Sequence, residues 1–277
     1  MNAQAAASRT PDTAGPGKPR LEVKRVTRTW PSTSALDGGP DVVLKDVSLT
    51  VGAGEFVAVL GPSGCGKSTL LNVIAGLQEP GSGEVLLDGD PCARRIGRVA
   101  YMHQRDLLLP WRTVIENARL GIELGGVTAA EAGRRAREGA ERFGLSKVAD
   151  SYPWKLSGGM RQRVALLRAT LPDRSVLLLD EPFGALDSIT RADLQKWLSE
   201  VLDRADRAVV LVTHDVEEAL ILADRVYVMA GPPGQIVDEI IVALPRPRPE
   251  GIVTSALFVA HKRRLLAALA GQKEPER

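Results

Sequence analysis

The sequence predicts an α/β fold built on a largely parallel sheet and interrupted by a helical insertion. Three observations predict it. The runs Val176–Leu179 and Ala208–Val212 are apolar without alternation, as strands covered on both faces are. The segment between them, Ile189–Asp203, reads as a helix and so makes a βαβ unit. Between Arg105 and Leu156, the stretches Val114–Leu124 and Ala129–Phe143 have helical spacing and few β-branched residues, which sets this region apart as the insertion.

The remaining elements follow in order. Leu21–Thr27, Val42–Val51 and Glu55–Leu60 read as strands, the last rich in Val and Ala and ending at a glycine turn. Lys67–Ala75 reads as a helix, and Gly83–Leu87 and Arg98–His103 as strands. Val226–Met229 and Ile236–Val242 are expected as closing strands, the proline-rich Leu244–Pro249 as a linker, and Val253–Leu269 as an amphipathic terminal helix. The first nineteen residues are rich in Ala, Pro, Gly, Ser and Thr and lack the apolar stretch of a secretory signal, so they are expected to be a disordered leader. No internal repeat is visible.

Bulk composition narrows the function. The 277 residues suffice for one large domain or two small ones. A hydrophobic share of 44%, a charged share of 25% and a net charge of +2 are ordinary for a globular chain and point to no nucleic-acid partner. Cys65 and Cys92 stand in no metal-ligand spacing and suggest neither a disulfide framework nor a zinc site. No uninterrupted apolar run reaches the roughly 20 residues that span a bilayer. A membrane role would therefore need a partner chain.

The strongest local signal is Gly61-Pro62-Ser63-Gly64-Cys65-Gly66-Lys67-Ser68-Thr69, a phosphate-loop pattern lying between a strand and a helix, where its chemistry needs it. Glycines allow backbone N–H groups to converge on phosphate oxygens, and the following helix points the positive end of its dipole at the same charge. Lys67 would contact the β- and γ-phosphates of a bound nucleotide, and the Ser68 hydroxyl would be a ligand of Mg²⁺. Downstream, Val176-Leu-Leu-Leu179-Asp180-Glu181 is an apolar strand ending in two acids. Asp180 can hold Mg²⁺ directly or through water, and Glu181 is placed to polarise an attacking water. Alone, such a pair reads as a solvated strand end; beside a phosphate loop it completes a nucleotide site. These two signals suit a kinase or a GTPase equally.

The segment Leu156-Ser157-Gly158-Gly159-Met160-Arg161-Gln162-Arg163 separates the possibilities. Together with Gln104, Asp187 and His214 in the same order, it closely resembles the ATP-binding cassette (ABC) ATPases, and the resemblance runs from about Leu21 to about Pro245. It implies a RecA-like phosphate-loop core with a mainly parallel sheet, an antiparallel β-subdomain and a helical subdomain inserted at about 105–163. The domains expected are a leader at 1–19, an ATPase domain at 20–245, and a linker with a C-terminal helix at 246–277. The resemblance further implies a head-to-tail homodimer sandwiching two ATP molecules, in which Ser157, Gly158 and Gly159 close on the γ-phosphate held by the other subunit. Gly184-Ala-Leu186-Asp187 resembles the loop that links the two sites. His214 matches the histidine that contacts the γ-phosphate and orients the water, and Gln104 the glutamine that reaches Mg²⁺ and that water. Trp30 stands where the family has an aromatic residue stacking on adenine, an interaction worth about 1–3 kcal/mol. The stretch Pro31–Asp41 after it is longer than usual, and packing is the rival role for this tryptophan.

Three details resemble the nitrate, sulfonate and taurine importers in particular: Leu107-Leu-Leu109-Pro110-Trp111-Arg-Thr-Val114, Met160, and Pro233-Gly-Gln-Ile236-Val-Asp-Glu239 followed by Leu244-Pro-Arg-Pro-Arg248. That type implies transmembrane permease subunits as partners, a solute-binding protein acting indirectly, and a peripheral position on the cytoplasmic face of the cell membrane. Trp111 and its apolar neighbours suit either a groove for a short helix of the permease or packing of the insertion against the core. The short stretch after Leu244 leaves no room for the regulatory β-domain of sugar-importer relatives. The alternative, a soluble ABC ATPase outside transport, would usually bring a second cassette, a coiled-coil arm or a strongly basic surface. The sequence has none of these.

Overall fold

Three strands in which every residue is buried form the centre of the molecule: β3 (Phe56–Leu60), β6 (Val176–Asp180) and β7 (Ala208–Thr213). They belong to a six-stranded sheet completed by β5 (Ala100–Met102), β8 (Arg225–Ala230) and β9 (Gln235–Ile241), in the order β5-β6-β7-β3-β8-β9. All neighbours run parallel except β8 and β9. A second, antiparallel sheet has the order β2-β1-β4, from β1 (Leu21–Trp30), β2 (Asp41–Val51) and β4 (Ser82–Leu87). The computed structural model describes residues 18–30, 41–91, 94–184, 186–202, 206–246 and 248–271. Most of the expected leader, the stretch 31–40 and Cys92 lie outside the described residues.

The two-residue period of the strands sorts their side chains into two cores. Ala58, Leu60, Leu177, Leu179, Val209 and Leu211 face one side. They are covered there by residues such as Ala118 of α2 (Val114–Glu123), Val164 of α4 (Gly158–Thr170), Leu220 of α6 (Val216–Leu222) and Phe258 of α7 (Ala256–Ala270). Val57, Val59, Leu178, Val210 and Val212 face the other. Leu70 and Ile74 of α1 (Lys67–Ala75) and the inner face of the antiparallel sheet, with Val23 and Leu49, close that side. Fully sandwiched strands cannot show a polar alternation, which is why these runs read as unbroken apolar stretches.

The insertion consists of α2, α3 (Ala129–Arg142) and α4. Helix α2 starts at Thr113 in a reciprocal cap: the Thr113 hydroxyl accepts from the Glu116 N–H, and the Glu116 carboxylate accepts from the Thr113 N–H. On α3, Ala132, Ala136 and Ala140 form a buried stripe at four-residue spacing. Gly139 permits its close packing on α4, since a Cβ there would lie 2.5 Å from a methyl of Leu167.

Several boundaries differ from the sequence reading. Strand β5 has three residues rather than six, because Arg98 belongs to the preceding turn, its N–H bonded to the Arg95 carbonyl. Helix α6 has no counterpart in the sequence reading; seven residues are too few to display a periodicity, and it is started by Asp215, whose side chain accepts from the N–H groups of Glu217 and Glu218. Helix α5 spans Ser188–Leu202, and α7 starts at Ala256, where the Ser255 hydroxyl caps it. The proline-rich segment before α7 is pinned to the core: Arg246 pairs with Asp224, and Arg248 donates to the carbonyls of Leu220 and Ala223 at the end of α6.

Candidate functional site

The C-terminal ends of four adjacent parallel strands deliver the chemistry to one edge of the sheet, the usual place for ligands in open α/β folds. Strand β3 leads into Gly61, β5 into Gln104, β6 ends at Asp180 with Glu181 next, and β7 leads into His214.

Backbone proximity dictates the composition of the loop Gly61–Gly66. A Cβ on Gly61 would sit 2.4 Å from the Met229 carbonyl oxygen, and Gly66, at φ +103°, has Leu44 and the Val43 carbonyl against the same position. A side chain at either place would displace the loop. Pro62, Ser63 and Gly64 are exposed, Cys65 is buried against the core, and Thr69 is half-buried. Lys67, almost fully buried, curls back so that Nζ donates to the carbonyls of Gly61 at 2.9 Å and Pro62 at 2.8 Å. A triphosphate entering the loop meets an ammonium hydrogen-bonded to two neutral carbonyls.

Ser68 Oγ donates to Asp180 Oδ1 at 3.1 Å. Asp180 is 3% exposed, and this burial pushes its carboxyl above the ordinary range, partly offset by the Ser68 bond. Ser68, Asp180 and Gln104 fit what Mg²⁺ requires: one carboxylate and neutral oxygens, with phosphate and water to fill an octahedron. Among the described residues no cluster of three or more His, Cys, Asp or Glu is grouped to hold a metal by itself.

Glu181 has a left-handed backbone, φ +47°, which for a non-glycine residue marks strain maintained by its surroundings. Its N–H donates to the Val212 carbonyl at 2.9 Å. Its carboxylate joins two other candidates: Oε2 accepts from Gln104 Nε2 at 3.0 Å, and Oε1 lies 3.2 Å from His214 Nδ1. A carboxylate so placed can take a proton from water.

The other candidates lie apart from this cluster. Ser157 caps α4 by accepting from the Met160 N–H at 3.3 Å, and Ser157 and Gly158 are exposed. Gly159 packs beside Leu186 and Thr190, where a Cβ would lie 3.4 and 3.3 Å away. Asp187 caps α5 through the Thr190 N–H at 3.0 Å, a bond that holds its carboxyl below the usual range. Trp30 ends β1 opposite Asp41, 38% exposed, with the Arg28 guanidinium 4.8 Å above its ring.

Sequence reasoning missed the residues that brace the site. Buried Gln162 donates to the Pro182 carbonyl at 2.8 Å, joining α4 to the loop after Glu181. Arg168 donates to the carbonyls of Asp106 and Leu107, and Arg161 pairs with Asp106 at 3.0 Å, so α4 grips the segment after Gln104. Arg191 connects Leu186, through its carbonyl, to Asp215 beside His214. Gln162 and Arg161 were visible within the Ser157 segment; Arg168 and Arg191 had no signal, because they bind backbone carbonyls.

A phosphate loop facing a strand-end acid pair, on a mainly parallel sheet carrying a helical insertion, defines a phosphate-loop nucleotide-binding protein. A family model described as "ABC transporter" matches residues 44–184. The chain belongs to that family, as one of its ATP-binding subunits, and is an ATPase. It is 43% identical over 220 residues to a taurine import ATP-binding protein of Pseudomonas fluorescens, covering 79% of this chain and 81% of that one. It is 46% identical over 214 residues to a nitrate import ATP-binding protein of Synechococcus elongatus, covering 76% of this chain and 32% of that longer protein. Among solved structures, a dimeric ATP-binding cassette in a post-hydrolysis state, bound to ADP and Pi, superposes with a TM-score of 0.72 at 31% identity, over 80% of this chain and 98% of that one.

Proposed function

We propose that this ATPase energises solute import of the nitrate, sulfonate or taurine type, working as a head-to-tail pair beneath separate permease subunits on the cytoplasmic face of the membrane. The taurine and nitrate import relatives support the transport class, and the dimeric cassette supports the pairing. No helix among the described residues is long and apolar enough to cross a membrane, so the channel is assigned to partner chains, with a solute-binding protein acting through them. The ATPase domain is 20–245 and its helical subdomain about 105–163; the linker and helix of 246–277 follow, and 1–19 is a leader. Trp111, 69% exposed, lies in the insertion with Leu107, and the stacked pair Tyr152 and Trp154 is exposed in the same subdomain. These aromatics suit a groove for a short permease helix.

The observation that carries the catalytic reading is the Glu181 carboxylate held between Gln104 and His214, next to the Ser68–Asp180 pair. In this reading the loop from Gly61 to Thr69 cradles the phosphates, and Lys67 exchanges its two carbonyls for β- and γ-phosphate oxygens. Ser68, Asp180 and Gln104 would hold Mg²⁺, which offsets charge on the phosphate oxygens as the bond to the γ-phosphorus breaks. Glu181 accepts the proton of the attacking water, Gln104 and His214 keep that water in line, and Trp30 supports adenine. Ser157, Gly158 and Gly159 of the second copy close over the γ-phosphate, and Asp187 lies at the junction between the two sites.

Glu181→Gln tests this reading. It preserves shape and the bond from Gln104 but removes the base. ATP binding should stay within about twofold, turnover should fall by about 10³-fold, and a dimer should accumulate with ATP in light scattering. Near-normal turnover with no ATP-dependent dimer would remove Glu181 from the role.

A further inference from the structure

We infer that Gly234, in the turn between β8 and β9, is a positioning residue for nucleotide binding: with residues 43–45 of β2 it forms the wall against which the phosphate loop takes its shape. This deepens, and rests on, the reading of residues 61–69 as the phosphate cradle. Gly234 is buried and bonded to β2 through both of its backbone groups. Its N–H donates to the Val43 carbonyl at 2.8 Å, and its carbonyl accepts from the Lys45 N–H at 2.9 Å. This parallel bridge, opposite Leu44, joins the edge hairpin of the main sheet to the antiparallel sheet. The phosphate loop lies on the junction. A Cβ on Gly234 would stand 2.3 Å from the Cys65 carbonyl oxygen and 2.4 Å from the Met229 methyl. Both ends of the loop rest on the same residues: a Cβ on Gly61 would meet the Met229 carbonyl, and one on Gly66 would lie 2.9 Å from Leu44 and 3.1 Å from the Val43 carbonyl oxygen. Leu44, Cys65 and Met229 share one buried apolar cluster.

The contact falls where nucleotide binding is sensitive to it. Backbone N–H groups hold phosphate only while they converge, and the glycines of the loop supply no side chain to keep them so. Gly64 and Gly66 stand at φ +82° and +103°, conformations whose fixing costs entropy. The Cys65 carbonyl belongs to the same planar peptide unit as the Gly66 N–H, at the entrance to α1, so a displacement of one is a displacement of the other. A methyl at position 234 would approach that carbonyl to 2.3 Å where such atoms tolerate no less than 3.0 Å. The Met229 side chain can swing aside; the Cys65 backbone has to retreat. Gly234 cannot withdraw in its place without breaking its bonds to β2.

Gly234→Ala tests the inference through affinity rather than turnover. Calorimetry with Mg²⁺ and either ADP or a non-hydrolysable ATP analogue should show both affinities falling about tenfold, as weakening of one N–H bond to a charged oxygen does. The two losses should agree within about twofold, because the loop amides serve phosphates that both nucleotides carry. Gly139→Ala, which crowds α3 against Leu167 far along the chain from the loop, should lower the melting temperature and leave both affinities within about twofold of the wild type. Lys67→Ala separates the two readings. If it weakens both nucleotides while Gly234→Ala binds them normally, the role of Gly234 falls and the phosphate cradle stands; if Lys67→Ala binds both normally, the cradle falls and takes the inference with it. Loss confined to the ATP analogue, or an equal loss in Gly139→Ala, would also overturn it. Should Gly234→Ala fail to fold, amide exchange of the wild type decides: Mg²⁺ and ADP are expected to slow the Gly234 and Lys45 N–H groups at least about threefold, and unchanged rates at both would refute a wall coupled to the loop.

Discussion

Asp180 is a carboxylate that folding places where its charge is disfavoured. Burial raises its pKa above the unfolded value, so the folded state binds the proton more tightly than the unfolded chain does. The sign follows: stability declines as pH rises through the window between the unfolded and folded pKa values, and above that window the full cost of the buried charge remains. Asp180→Asn removes the charge and can still accept the Ser68 hydrogen bond. The nucleotide-free variant should therefore melt about 2–4 °C higher by calorimetry while binding Mg²⁺-nucleotide more weakly. A lower melting temperature would show that the site is not strained in this way. The strained backbone at Glu181 obeys the same logic, with fold stability sacrificed for the placement of one functional side chain.

At the scale of elements, α4 is the helix of the insertion that ties it to the core, through Gln162 and the Pro182 carbonyl. Its Arg168 donates two hydrogen bonds to the carbonyls of Asp106 and Leu107, the latter in a left-handed backbone at φ +45°. Arg168→Ala leaves those carbonyls without their partner, and the segment that follows Gln104 should open more readily. Amide exchange at Leu107–Leu109 is expected to rise about tenfold, with the protection of α2 unchanged; uniform exchange across both would count against a local brace. The sequence made α1, α2 and α3 and the buried strands legible, because each has enough residues to show its period. It could not reveal α6, with seven residues, or the shortness of β5. Gln104, Glu181 and His214 were each legible as residue types, yet nothing in their spacing said that one carboxylate would join all three. Arg168 was invisible for a related reason: it acts on backbone carbonyls.

Over the whole molecule, α7 closes the core from outside. Phe258 and Leu265 are buried beneath it, and Lys262 pairs with Glu217 of α6 at 2.6 Å. His261 sits on the same helix with Nε2 buried and without a hydrogen-bond partner among the described residues, and burial, followed by Arg264 and Arg248, holds its pKa below the ordinary 6.5. A depressed histidine is neutral in the folded state where the unfolded chain is already protonated. Stability is thus lost as pH falls below about 6.5. Urea unfolding of the wild type and His261→Gln between pH 7.5 and about 5 should show the wild type losing stability relative to the variant on acidification. Parallel curves would mean that the imidazole titrates alike in both states.

Strand order has a temporal consequence. In the sheet β7 lies between β6 and β3, so the strand that leads to Ser68 and the strand that ends in Asp180 are hydrogen-bonded to each other through a strand made later than either. A nascent chain emerging from the ribosome as far as Arg207 carries the phosphate loop and both acids, but lacks the wedge that seats them side by side. Competence to bind nucleotide should thus arrive late in synthesis and abruptly, once β7 slots into the gap, rather than growing with each motif translated.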